Sequence, residues 1–242
     1  MSLFDLAILA TAIFSGATAT LVGFGIGSLL TPLLALRFGT DVAIVAVTLP
    51  HAFATAFRCW RLRAHINRTV LIQFGLVSAA GGLLGALFFT LLSAPILNRI
   101  LGALLLMTAF AQLTGLASRW QPRGVLVTVL GFISGVFGGL AGNQGGVRAA
   151  ALTTFKLSPL VFIATATATG LLVDMARVPV YVWKAGDQIL DLAQPIGIAT
   201  VGVLIGTVVG ERILLGLAPE RFIQIVSVAI GILGLWFLFG AA

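Results

Sequence analysis

Residues 138–148 read Gly138-Gly139-Leu140-Ala141-Gly142-Asn143-Gln144-Gly145-Gly146-Val147-Arg148, and they lie inside an apolar run that extends from 125 to 155. Such a run is about 31 residues long, or roughly 46 Å as a single helix at about 1.5 Å per residue. That overshoots a hydrocarbon core of about 30 Å and falls short of two full crossings. Glycine lets the chain leave the helix, and freed backbone groups are tolerated at membrane depth only where protein encloses them. The segment therefore reads as a broken helix or a re-entrant hairpin. A second overlong run, 3–36, is interrupted in the same way at Gly23-Phe24-Gly25-Ile26-Gly27.

The rest of the chain agrees with a membrane reading. Of its 242 residues, 60% are hydrophobic and 9% charged. A soluble domain carries about 25% charged residues, so a soluble enzyme, a nucleic-acid-binding domain and a disordered chain are all excluded. Further apolar runs cover 42–57, 70–92, 96–116, 160–173, 189–215 and 222–239. The net charge of +7 is then a topology signal rather than a nucleic-acid footprint. The N-terminus lacks the basic stretch of a cleaved signal and is read as part of the fold. Trp60, Trp120, Trp183 and Trp236 suit the interfacial belt, and the phenylalanines read as lipid-facing bulk.

The two long runs belong to two similar halves, 1–118 and 124–242. A shift of 119 residues aligns Ser15-Gly16 with Ser134-Gly135, Gly23 with Gly142, Gly27 with Gly146, Thr48 with Thr167 and Arg58 with Arg177. With small gaps, Gly81 and Gly85 match Gly202 and Gly206, and Pro95 matches Pro219. The fold expected is an all-α integral membrane protein of two homologous halves. Each half has one glycine-broken or re-entrant helix and three transmembrane helices. Inverting the halves puts nine basic residues on the cytoplasmic side against four outside, and parallel halves give eight against five. The positive-inside rule favours inversion. Internal duplication is usual among secondary transporters, which hold their substrate between the repeats.

Arg148 is the sharpest chemical signal. A charge at membrane depth costs about 2.5 kcal/mol or more, so it faces a partner or a wet cavity. The functional reading makes it the cation of an anion site; the structural reading makes it a partner of Asp174 or an interfacial anchor. Gly23, Gly25, Gly27, Gly142, Gly145 and Gly146 let backbone approach such an anion, and restarted helices aim N–H groups at it. Asn143 and Gln144 add amide donors. Singly, each glycine reads better as close helix packing; two clusters in matching positions read as a site.

A second layer flanks these breaks. Thr48, His51, Thr55 and Arg58 share one helix face, and Thr167, Gly170, Asp174 and Arg177 form the matching stripe. His51, Arg58, Asp174 and Arg177 are candidates for gating or coupling. Against that stand a hydrogen-bonded core histidine, interfacial anchoring for the arginines and simple pairing of Asp174 with Arg177 or Arg148. His65, Arg61, Arg63 and Arg68 read as loop topology determinants. One cysteine, Cys59, excludes an internal disulfide, and two histidines give no metal cluster. The Gly-x-Gly-x-Gly run lacks the strand and later acid of a dinucleotide fingerprint. No catalytic constellation, cofactor or nucleotide-binding motif is expected.

These residues carry a resemblance. The paired segments from Phe14-Ser15-Gly16 through Gly23–Gly27 to Thr31-Pro32-Leu33, and from Ile133-Ser134-Gly135 through Gly142–Gly146 to Arg148, are similar to the TauE/SafE sulfite exporter family of bacterial membrane proteins. The chain departs from the paired pattern at Ala151, where the first half has Pro32, and in carrying Asn143, Gln144 and Arg148. The resemblance implies transport of sulfite, sulfoacetate or a related organosulfonate across the bacterial inner membrane. The reading is a secondary transporter with a midplane anion site, coupled to protons or sodium, embedded in lipid and compatible with a homodimer. The alternatives are a passive anion channel and a carrier of another oxyanion or small carboxylate.

Overall fold

The computed structural model describes residues 2–23, 25–116, 122–143, 145–213 and 219–240. Among these, all regular structure is helical. Hydrogen bonds within a helix satisfy the backbone locally, which is what a chain this apolar needs in lipid. The helices are α1 (Leu3–Val22), α2 (Ile26–Phe38), α3 (Thr40–Leu62), α4 (Arg68–Phe89) and α5 (Ala94–Leu113). The second half continues with α6 (Val125–Ala141), α7 (Gly145–Leu152), α8 (Pro159–Asp191), α9 (Ala193–Ile213) and α10 (Pro219–Leu235). Among the described residues, six helical segments are long and apolar enough to cross a membrane: those within α1, α3, α4, α5, α8 and α9. The shorter apolar helices are α2, α6 and 224–240.

Both overlong runs divide where their glycines fall. α1 starts at a capping box between Ser2 and Asp5, whose backbone N–H groups and side chains bond reciprocally. It ends at Gly23, which takes the left-handed conformation at φ +83°. α6 ends at Gly142 in the same conformation at φ +67°. A side chain there would meet the steric penalty that glycine escapes. Phe24 and Gln144, next to these caps, lie outside the described residues.

α8 differs from the expected span of 160–173. It runs on through Asp174 and Arg177 to Asp191, with a kink at Ala185 (φ −134°, ψ 28°). The two charges end the apolar run in sequence, but they bond to each other one turn apart, so the helix stays buried across them. Arg58 and Arg177 are likewise core residues, 4% and 1% exposed, rather than interfacial anchors. Trp60, Trp183 and Trp236 are exposed as a belt requires, while Trp120 lies outside the described residues. Three phenylalanines are core rather than lipid-facing: Phe74, Phe89 and Phe237.

Helix pairing crosses between the halves. α1 lies parallel to α9: Gly202 sits on Leu9 and Ala12, Gly206 on the Ile13 carbonyl, and Gly210 on Ala17. α4 lies parallel to α6 in the same manner, with Gly81 on Phe132, Gly85 on Val136 and Gly135 on the Ser78 carbonyl. Lipid tails give helices no hydrophobic reason to associate, so small residues that bring backbones into contact take over that task. α3 and α8 cross the centre antiparallel, with His51 opposite Asp174 and Thr55 beside Gly170. α5 and α10 are also antiparallel, pairing Gly102 with Gly234 and Ala109 with Gly231.

Candidate functional site

The breaks after α1 and α6 meet in the interior. Gly27 packs on the carbonyl of Gly142, where a Cβ would collide with backbone. One residue on, the Ser28 hydroxyl donates to Asn143 Oδ1 at 3.3 Å. Ser28 escaped notice in the sequence. Its only signal is a polar side chain among the apolar residues that open α2. The other candidate glycines have packing neighbours too: Gly25 lies against Thr18, and Gly146 against Thr108. Gly145 is buried at the start of α7.

Arg148 projects from α7 and is 4% exposed. Its NH2 donates to the carbonyl of Gly23 at 3.0 Å, so the cation of the second half closes on the break of the first. The α1 carbonyls left without intrahelical partners make that end of the helix electronegative, which suits a guanidinium. The opposite edge of the same guanidinium is unsatisfied. Arg148 NH1 is buried without a hydrogen-bond partner among the described residues, and so is Asn143 Nδ2. NH1 lies close over Gly170, where even a methyl group would stand 2.8 Å from it.

Asp174 organises the remaining charges. Its Oδ1 accepts from Arg177 Nε at 3.0 Å and from Arg177 NH2 at 2.8 Å. Its Oδ2 lies 2.7 Å from His51 Nδ1. Arg177 NH1 donates to the Gly138 carbonyl at 2.8 Å, tying α8 to the last turn of α6. Just beyond, the Tyr181 hydroxyl donates to the Gly139 carbonyl. The Thr55 hydroxyl faces His51 Nδ1 at 3.3 Å. Asp174 is 0% exposed. Burial on that scale is tolerated because both carboxylate oxygens are occupied by donors.

Of the candidates, Gly23, Gly27, Gly142, Asn143, Arg148, His51, Asp174 and Arg177 form one connected region. Arg58 is buried on the α3 face that carries His51 and Thr55. Among the described residues the region holds three buried arginines, Arg58, Arg148 and Arg177, and one buried carboxylate, Asp174. It lies in a helical body whose other faces are apolar and exposed. No group of three or more His, Cys, Asp or Glu able to hold a metal occurs among the described residues.

A cationic, donor-rich interior sealed within membrane-length helices defines a multi-pass membrane transporter. The family model described as sulfite exporter TauE/SafE matches residues 8–237, and the chain belongs to that family. It is a family of transporters, not of enzymes. Comparison with curated proteins and with solved structures gives no match.

Proposed function

We propose that this protein is a secondary transporter for a small sulfur-containing anion, held at mid-membrane between the Gly23–Gly27 and Gly142–Arg148 breaks. The observation that carries the reading is the pair of buried donors without partners among the described residues, Arg148 NH1 and Asn143 Nδ2. A buried donor left unsatisfied costs about 1–3 kcal/mol, and more when charged, so two in one region call for an acceptor. The excess of arginine over aspartate calls for that acceptor to be negative. The family match supports a sulfur-containing anion, for which our reading is sulfite, sulfoacetate or a related sulfonate carried across the bacterial inner membrane.

Inverted halves, 1–118 and 124–242, fit the same reading. Exchanging the halves turns the α1–α9 contact into the α6–α4 contact, and the α3–α9 contact into the α8–α4 contact. The corresponding helices α3 and α8 run antiparallel, as do α5 and α10, which is what an axis in the membrane plane demands. With inverted halves, Gly81 and Gly85 would correspond by their contacts to Gly206 and Gly210, one turn away from the pairing suggested by sequence. Around a site on that axis, the halves rock or gate to expose the anion to either side.

A thermal-shift screen of the purified protein with sulfite, thiosulfate, sulfoacetate, sulfate, phosphate and small carboxylates tests the site. A ligand at about 100 times its Kd stabilises by about 2.7 kcal/mol. For a chain of this size that is a rise in Tm of about 5–10 °C. One sulfur oxyanion should produce the rise in the wild type and not in Arg148→Gln. A rise that persists in the variant, or no rise with any anion, refutes the site. Unsaturable, voltage-driven current in vesicles would make the protein a channel instead.

A further inference from the structure

The anion site leaves one group of the polar core without a task. His51 stands midway along α3, one helical turn from Thr55, with Nδ1 2.7 Å from Asp174 Oδ2. Its side chain is 12% exposed, whereas that of Asp174 is 0% exposed. Both oxygens of the carboxylate already face donors, so a proton entering this cluster goes to the imidazole, the half of the pair that keeps accessible surface. We infer that His51 binds a proton together with the anion, and that the protein is an anion–proton symporter. The inference rests on the anion site proposed above.

The surroundings give the coupling a route and a sign. Facing His51 are Asp174 and Arg177 from α8 and Arg58 from its own helix, with Arg148 of α7 also near enough to Asp174 to act on it. Of the other helices packed on α3, α2 and α9 carry their charges, Arg37, Glu211 and Arg212, in their C-terminal turns, and α5 carries Arg99 in its second turn. A proton taken from water by the free ring nitrogen, Nε2, turns neutral imidazole into imidazolium hydrogen-bonded to a carboxylate. The core then gains one positive charge with no covalent bond broken. That charge favours an anion beside Arg148 and Asn143.

A bonded chain also links the two events. It runs from His51 to Asp174, from Asp174 to Arg177, and from Arg177 NH1 to the Gly138 carbonyl. Arg177 NH1 also borders Gly142 itself, since a Cβ there would stand 3.2 Å from it. Protonation of His51 weakens the exclusive hold of Asp174 on Arg177, and Arg177 is the side chain that grips the end of α6 at the break. Proton and anion therefore act on the same few residues of backbone. Because linkage is reciprocal, an anion that binds more tightly to the protonated form must draw a proton onto the protein.

The probes are sulfate, thiosulfate and methanesulfonate, whose charge does not change over the range in which histidine titrates. Binding to the purified full chain is measured at about pH 6 and about pH 8 for the wild type, His51→Gln and Arg148→Gln. A single linked proton tightens binding by up to about tenfold per pH unit on acidification. The wild type should show that dependence, His51→Gln should bind with the same affinity at both values, and Arg148→Gln should bind at neither. If His51→Gln keeps the wild-type dependence, or the wild type shows none, the symport proposal falls while the anion site stands. If the wild type binds neither these probes nor any anion of the thermal-shift screen, the anion site falls and the symport proposal with it. A direct measurement needs no variant: adding the bound probe to wild-type protein in weak buffer should take up as much as one proton per anion. No uptake overturns the proposal even if His51→Gln does not fold.

Discussion

Replacing Asp174 with asparagine keeps the shape of the side chain and removes its charge. The cost follows from what the carboxylate holds. Two bonds from Arg177, at 3.0 and 2.8 Å, and the contact with His51 at 2.7 Å all converge on it. Arg177 is 1% exposed and has nowhere to go for water. Removing one partner of a buried pair strands the other charge and costs about 3–5 kcal/mol. Set against a total stability of about 5–15 kcal/mol, that is a large fraction. At about 2–4 °C per kcal/mol for a chain of this length, the expected loss in Tm is about 6–20 °C. Tryptophan fluorescence during a thermal scan in detergent reads it. The double variant Asp174→Leu with Arg177→Met supplies the internal control. It leaves no stranded charge at the pair, so it should melt above Asp174→Asn, and the cycle should show coupling above about 1 kcal/mol. An Asp174→Asn protein that melts within a degree or two of the wild type would refute the account of Asp174 as the group that makes a buried Arg177 tolerable.

Other perturbations probe the breaks, the helix contacts and the orientation. Gly170→Ala places a methyl group 2.8 Å from Arg148 NH1, the far end of a flexible side chain, so anion binding should weaken several-fold while Tm falls little. Gly27→Val drives a side chain into the Gly142 carbonyl and should cost about 1–3 kcal/mol, lowering both Tm and anion-dependent stabilisation. Gly135→Leu wedges α6 away from the Ser78 backbone and should destabilise more than Gly186→Leu, whose position has open space around it. In a Cys59→Ser background, an impermeant maleimide added to intact cells should label Gly186→Cys and spare Ala64→Cys. The reverse pattern would invert the orientation drawn from the basic loop.

Much of this architecture is written locally, and what is not local stays hidden in the sequence. Arg148 could be singled out because a charge inside an apolar run needs a reason, whatever its neighbours. Asp174 and Arg177 sit one turn apart on a helix, so their pairing was among the readings open from spacing alone. The contact between His51 and Asp174 spans 123 positions, and no periodicity reports it. Ser28, whose hydroxyl meets Asn143, was overlooked for the same reason, and Gly170 was placed on the α8 stripe without any sign that its missing side chain makes room for Arg148. Gly202, Gly206 and Gly210 recur every four residues, so sequence alone does not fix which of them answers Gly81 and Gly85. The end of α8 was misjudged because a charge pair that neutralises itself in space still reads as two charges in a string.

The crossed packing of α1 on α9 and of α4 on α6 has a consequence for how the chain is made. α1 leaves the ribosome before α9, and about 170 residues separate its end from the start of α9. At about 5–20 residues per second, α1 waits about 10–35 s for its partner. During that interval Gly16 and the buried Thr20, which end up against Val203 and Thr207, have only lipid or insertion machinery beside them. A nascent chain arrested before α9 should therefore expose the Gly16–Thr20 face of α1 to proteolysis or to crosslinking with a membrane chaperone, and a ribosome that stalls late would release a protein in which α2 is packed on α1 but that face is bare.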